Sequence, residues 1–185
     1  AASVYQSVLV DFPEHPVALH LLGVVHHQLG KSADAVKLIS KALFIKPDIP
    51  EAYNNLGNAY LALDQSNDAI VSFGKAIVLN PAFAEAHYNL GRAFQSGSNN
   101  IKAANAYQNA IQFKPDHALA HNNLGNVLQE LGRLNDAEIH FHRALAAGPG
   151  LQQPHINLGH LLRDAGRLEE AVAHFEAALT KGPAV

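Results

Sequence analysis

Apolar and polar positions alternate along this chain with helical spacing, in two stripes separated by a short polar break. In residues 50–83, Tyr53, Leu56, Ala59, Tyr60 and Leu63 share one helical face and predict a first helix from about Pro50 to Leu63. Proline at its start suits a first turn, where no backbone N–H is needed. The polar run from Asp64 to Asn67 interrupts the pattern, and Ala69, Ile70, Phe73, Ala76 and Ile77 then form a second stripe that Asn80-Pro81 closes. The first stripe carries Tyr53-Asn-Asn-Leu-Gly-Asn-Ala-Tyr60, and close variants begin at His87, His121 and His155, with a looser copy at Leu19. Successive copies are 34 residues apart. Self-similarity at such a period means a stack of small units sharing a continuous core.

The interval predicts five full units, 16–49, 50–83, 84–117, 118–151 and 152–185, and residues 1–15 as the second helix of a truncated one. Ala1, Tyr5 and Pro13 precede their equivalents Ala35, Ile39 and Pro47 by one period. Gly23, Gly57, Gly91, Gly125 and Gly159 lie inside first helices, where glycine costs about 1 kcal/mol relative to alanine, so a packing reason is required. Ala35, Ala69, Ala103, Ala137 and Ala171 form a facing column early in the second helices, and Ala42, Ala76, Ala110, Ala144 and Ala178 form another. Bulk-free columns let paired helices approach closely. Gly30, Gly132 and Gly166 in the breaks suit a left-handed helix end. Ser96 to Asn100 is expected to make a softer turn.

A 34-residue helix–turn–helix with Leu-Gly, aromatic, alanine and closing proline positions (Pro47, Pro81, Pro115, Pro149 and Pro183) resembles the tetratricopeptide repeat. One departure is the usual leading tryptophan, replaced by Leu19, Tyr53, His87, His121 and His155. The resemblance implies an all-α fold, a right-handed superhelical solenoid whose first helices line a concave face. Glu51, Asn54, Asn55 and Asn58 are expected there, followed by Glu85, Tyr88, Asn89 and Arg92, by Leu119, Asn122, Asn123 and Asn126, and by Gln153, Ile156, Asn157 and His160.

Asn55, Asn89, Asn123 and Asn157 recur at the full period, and Asn54, Asn58, Asn122 and Asn126 thicken the amide surface without it. A carboxamide donates and accepts, so a row of them can hold the backbone of an extended peptide. It can equally bond to the neighbouring helix or to water, and the sequence leaves both open. An asparagine row in this column resembles the repeat region of O-linked N-acetylglucosamine transferases, and His15 to Gly23 resembles early repeats of their bacterial relatives. That resemblance implies an arm delivering protein substrates to a glycosyltransferase domain absent from this sequence. The carboxylate clamp of chaperone-tail binders is not matched, because its later basic positions fall on Leu119 and Asn123, or on Gln153 and Asn157. Without cations a terminal carboxylate loses its charge-assisted partners.

Composition narrows the function further. A formal net charge of −3 and the scattered concave charges Glu51, Glu85 and Arg92 do not make the basic funnel of an RNA binder. No cysteine is present, and no apolar run approaches a membrane span. The 12 histidines raise the question of a metal. The column His87, His121, His155 is spaced by packed helices at about 8–10 Å, too far to share one ion at about 2 Å. His117 and His121 share a spacing but no third ligand, and His140 and His142 point to different faces. Acidic residues do not converge, serines lack a base, and no phosphate-cradling loop occurs. The expectation is a non-catalytic, cytoplasmic protein-binding scaffold without cofactor or metal. Peptide contacts are expected from the eight asparagines with Tyr88 and Arg92. The start at Ala1 and the lack of methionine suggest a piece of something longer. Val172, Phe175 and Leu179 on the last helix are expected to be covered by a neighbouring domain, another molecule or further residues.

Overall fold

The computed structural model describes residues 2–180, so Ala1, Pro183 and Val185 lie outside the described residues. Among those described the chain is helical and carries no strand: α1 (Ala2–Asp11), α2 (Pro16–Gln28), α3 (Ser32–Ile45), α4 (Pro50–Leu61), α5 (Ser66–Leu79), α6 (Ala84–Ser96), α7 (Asn100–Phe113), α8 (Ala118–Glu130), α9 (Leu134–Ala147), α10 (Gln152–Asp164) and α11 (Leu168–Thr180). They group into two compact units, Ala1–Ser98 and Asn99–Val185, so the division falls inside the stretch 84–117. In the first unit α2 packs on α3 and α4 on α5, each hairpin stacks on the next helix, and α4 touches α2 and α6. The second unit repeats this with α8 on α9, α10 on α11, and α7 against α8.

The helix boundaries follow local chemistry. Pro16 and Pro50 open α2 and α4. His15 and His117 cap α2 and α8, their Nδ1 atoms accepting from the N–H groups of Ala18 at 3.3 Å and Ala120 at 3.4 Å. α4 stops at Leu61, two residues short of the expectation, because the Tyr60 carbonyl accepts from both Leu63 and Gln65 N–H at 3.0 Å. The turn is closed by a left-handed residue, as at Gly30, Gly132 and Gly166. Asp64 and Ser98 occupy the same column with φ of 58° and 56°. The turn after α6 is therefore of the same kind as the others rather than a softer one, and at both positions it forms without glycine.

The core is built from the alanine columns and one larger column. Ala35, Ala69, Ala137, Ala42, Ala76 and Ala144 are fully buried, as are Ile39, Phe73 and Phe141. The glycines of the first helices face this larger column. A Cβ on Gly57 would sit 2.5 Å from Phe73, on Gly125 2.5 Å from Phe141, and on Gly159 2.5 Å from Phe175. At Gly23 the obstacle is Ile39 at 2.6 Å, with the Ala35 carbonyl at 3.2 Å. Glycine thus admits a large side chain as much as it lets alanine backbones approach.

Candidate functional site

The first helices α2, α4 and α6 in one unit, and α8 and α10 in the other, carry the expected binding residues. In the first unit, Asn89 on α6 is 2% exposed and its Nδ2 donates to Asn54 Oδ1 on α4 at 3.0 Å. Asn89 Oδ1 accepts in turn from the exposed Arg92 at 3.3 Å. Asn55 is half-buried with Nδ2 2.9 Å from His20 Nε2. An amide nitrogen only donates, so the ring nitrogen accepts and His20 carries its hydrogen on Nδ1. Burial pushes His20 below the usual histidine range and so favours the acceptor form, partly opposed by the carboxylate of Glu51.

The second unit repeats the pattern. Asn157 Nδ2 donates to Asn122 Oδ1 at 2.9 Å, and Asn157 Oδ1 accepts from Gln153 at 3.0 Å. Asn122 Nδ2 donates to Asn123 Oδ1 at 3.2 Å, and Asn123 Nδ2 lies 3.5 Å from the Tyr107 hydroxyl. Three of these bonds join residues 35 apart, so each runs from one first helix to its neighbour and one residue off the period. Asn54, Asn89, Asn122 and Tyr88 are buried, whereas Asn55, Asn58, Asn123, Asn126 and Asn157 are half-buried and Arg92 is exposed. The amides therefore divide by exposure but not by bonding: the hidden Asn54, Asn89 and Asn122 and the half-buried Asn55 and Asn157 all tie neighbouring helices together. The offset was visible in the sequence as the pairs 20/55, 54/89 and 122/157, but a search for equal periods passes over it.

Beside this face, Glu51 and Glu85 are exposed in the first unit, and Leu119, Gln153 and His160 in the second. Elsewhere His121 Nδ1 meets His140 Nδ1, and His155 Nδ1 meets His174 Nδ1, at 2.9 and 3.0 Å. Both pairs are 19 residues apart, a signal that reading histidines only for metal spacing misses. No group of three metal-binding side chains converges among the described residues. No described helix is long and apolar enough to cross a membrane. On α11, Phe175 is half-buried beneath Gly159, while Val172 and Leu179 are exposed.

Comparison with curated proteins finds no match. Profiles described as TPR repeat match residues 23–64 and 94–132, and profiles described as Tetratricopeptide repeat match 50–83, 118–151 and 152–177. Among solved structures, MamA is 30% identical with a TM-score of 0.79, over 86% of this chain and 94% of that one. TTC0263, a thermophilic TPR protein of Thermus thermophilus, is 26% identical with a TM-score of 0.71, over 91% and 92% of the two chains. YrrB, described as a TPR protein with an unusual peptide-binding site, is 20% identical with a TM-score of 0.76, over 99% and 94%. With helix pairs at a fixed period, the glycine and alanine columns and these matches together, the chain belongs to the tetratricopeptide repeat family.

Proposed function

We propose that this chain is a non-catalytic protein-interaction scaffold that holds an extended segment of a partner along the inner faces of its first helices. The observation that carries the reading is the set of directed amide bonds between neighbouring first helices, Asn89 to Asn54 and Asn157 to Asn122. Within each unit they set the spacing and orientation of neighbouring first helices, so the half-buried Asn55 in the first unit, and Asn123 and Asn157 in the second, meet a ligand with their amides already positioned. Asn58, Asn126 and Arg92 extend that surface, and Tyr88, Asn54, Asn89 and Asn122 act from behind it. Backbone contacts through amides carry little sequence information, so a broad partner range follows, tuned by Arg92 and Ile156. The description of YrrB as a peptide-binding TPR protein supports the same use of this fold.

The test is fluorescence anisotropy with a panel of labelled extended peptides. A neutral hydrogen bond contributes about 0.5–1.5 kcal/mol, so the double variant Asn123→Ala, Asn126→Ala is expected to bind roughly tenfold more weakly with an unchanged circular dichroism spectrum. Equal affinity of variant and wild type rejects the reading. A second reading, favoured by the periodic asparagines, is the substrate-recognition arm of an O-linked N-acetylglucosamine transferase-like enzyme. A nucleotide-sugar glycosyltransferase domain encoded after Val185 in the parent gene supports it, and a stop codon there removes it. The exposed Val172 and Leu179 suit contact with a neighbouring domain or a second copy. If copies associate there, Leu179→Lys abolishes concentration-dependent light scattering.

A further inference from the structure

Two histidine pairs occupy the same place in the two full hairpins of the second unit. In the α8–α9 hairpin, His121 and His140 bring their Nδ1 atoms to 2.9 Å, with ring centroids 5.2 Å apart. In the α10–α11 hairpin, His155 and His174 do the same at 3.0 Å, with centroids again 5.2 Å apart. His121 and His155 are buried. A hydrogen bond between two Nδ1 atoms needs one proton, on one side only. In the first pair the tautomer is set by a third group. His121 Nε2 lies 3.0 Å from the Pro115 carbonyl and must carry a hydrogen, so its Nδ1 accepts and His140 Nδ1–H donates.

One added proton is accommodated on the outer nitrogen of His140. A second would set N–H against N–H at 2.9 Å, so the folded pair holds one charge where two unfolded histidines hold two. The same limit applies to His155 with His174. We propose that these two pairs form an acid-released latch, closing both hairpins of the second unit near neutral pH and letting them open in mild acid, while the first unit stays folded.

The surroundings act in the same direction. Burial is the main cause that lowers His121, His140 and His174, with His140 brought down to about 4. Around the first pair, His117 and Arg133 at the starts of α8 and α9 and Arg143 on α9 oppose added positive charge, and the Pro115 carbonyl and Asp136 favour it. Near the second pair, His142 from α9 and Arg167 oppose it, and Glu138 and Glu170 favour it. Those two carboxylates are already engaged by Arg167 at 2.7–2.9 Å. Because the folded values lie below the unfolded one, the unfolded hairpin binds more protons between them. The stability is whole above the ordinary histidine value of 6.5 and is lost as pH falls towards about 4. In the first unit His20 also sits low, but Asn55 can turn its amide to offer oxygen to a protonated ring, which a second imidazole cannot do.

His121 and His155 lie within two residues of Asn123 and Asn157, so opening would also release a ligand held there. That consequence rests on the proposed peptide-binding role, whereas the latch does not. The test is hydrogen exchange of the full chain at about pH 7 and about pH 5, corrected for intrinsic rates. Each withheld proton raises the unfolding constant of its hairpin by up to about tenfold per pH unit, so α8–α11 should lose protection while α2–α5 change far less. The variant His140→Gln, His174→Gln keeps an N–H donor but takes no proton, and it should lose this acid response. An acid response like that of wild type in the variant overturns the latch. Should the variant misfold, histidine NMR of the wild type decides: one proton taken up per pair before unfolding supports it, and four ordinary titrations in the folded state overturn it. Opening in acid with a peptide still bound leaves the latch standing and counts against peptide binding on that face.

Discussion

The α4–α5 hairpin of the first unit and the two hairpins of the second treat one repeat position differently. In the first, Tyr53 shares an open cleft with Phe44, Val71 and Ser72, and the Lys75 ammonium lies 5.4 Å from its ring centroid. In the second, the equivalent His121 and His155 face His140 and His174, and His140 occupies the column of Ser72. The glycine, alanine and phenylalanine columns beneath are shared. The repeat thus separates what it must keep, the close helix contact, from what it can vary, the chemistry outside that contact. With no imidazole at either position, the cleft around Tyr53 does not compete for a proton.

The severest way to break this comparison is to damage the shared core. Phe73→Ala and Phe141→Ala, each removing a fully buried ring, are expected to cost about 3–5 kcal/mol in their own units. Urea unfolding followed by hydrogen exchange should show similar losses, and a large inequality would mean that the units differ at the core as well. Exchanging the variable position is the next largest change. The graft His121→Tyr, His140→Ser should remove one withheld proton, about 1.4 kcal/mol for each pH unit below the histidine range. The reverse graft, Tyr53→His with Ser72→His, should give the first unit an acid response, read from stability measured across pH. Asn122→Ala leaves the Asn157 amide without its acceptor and should cost about 1–2 kcal/mol in the second unit. Asn54→Ala should cost a similar amount in the first, since it strips the acceptor from the buried Asn89. The smallest effect is expected at the turns. Ser98→Gly relieves a left-handed serine and should stabilise by about 0.5–1 kcal/mol, whereas the same change at Ser96 in α6 should destabilise.

Much of the fold was readable from the sequence because helical spacing and the period act on residues that touch nearby neighbours. Gly57 and Phe73 show where this stops. Both columns are evident, yet sequence does not say which residue of the opposite helix enters the gap, and at Gly57 it is Phe73 rather than an alanine. The turn at Ser98 departs from the expectation because glycine is the sequence marker of a left-handed residue, and serine can be forced into that conformation by its surroundings. The asparagine column is legible as periodic, but which of its members are hidden is not. Asn89 and Asn123 are equivalent in sequence, while burial differs between them. Burial depends on neighbouring bulk rather than on period. The histidine pairs escaped because they link two helices of a hairpin, where the spacing depends on the turn.

The offset of 35 in the amide bonds places a constraint on how such a chain can be edited. In each bond the donor is an asparagine and the acceptor is His20, Asn54 or Asn122, any of which serves any such donor. Excising residues 50–83 would bring Asn89 one step after His20 and leave a compatible pair. Excising one residue more or fewer would shift that junction and bring a mismatched side chain opposite His20, while the Asn157–Asn122 pair keeps its offset. Whole-repeat duplication and loss are therefore tolerated by this network as a matter of grammar, and single-residue insertions within the first helices are not.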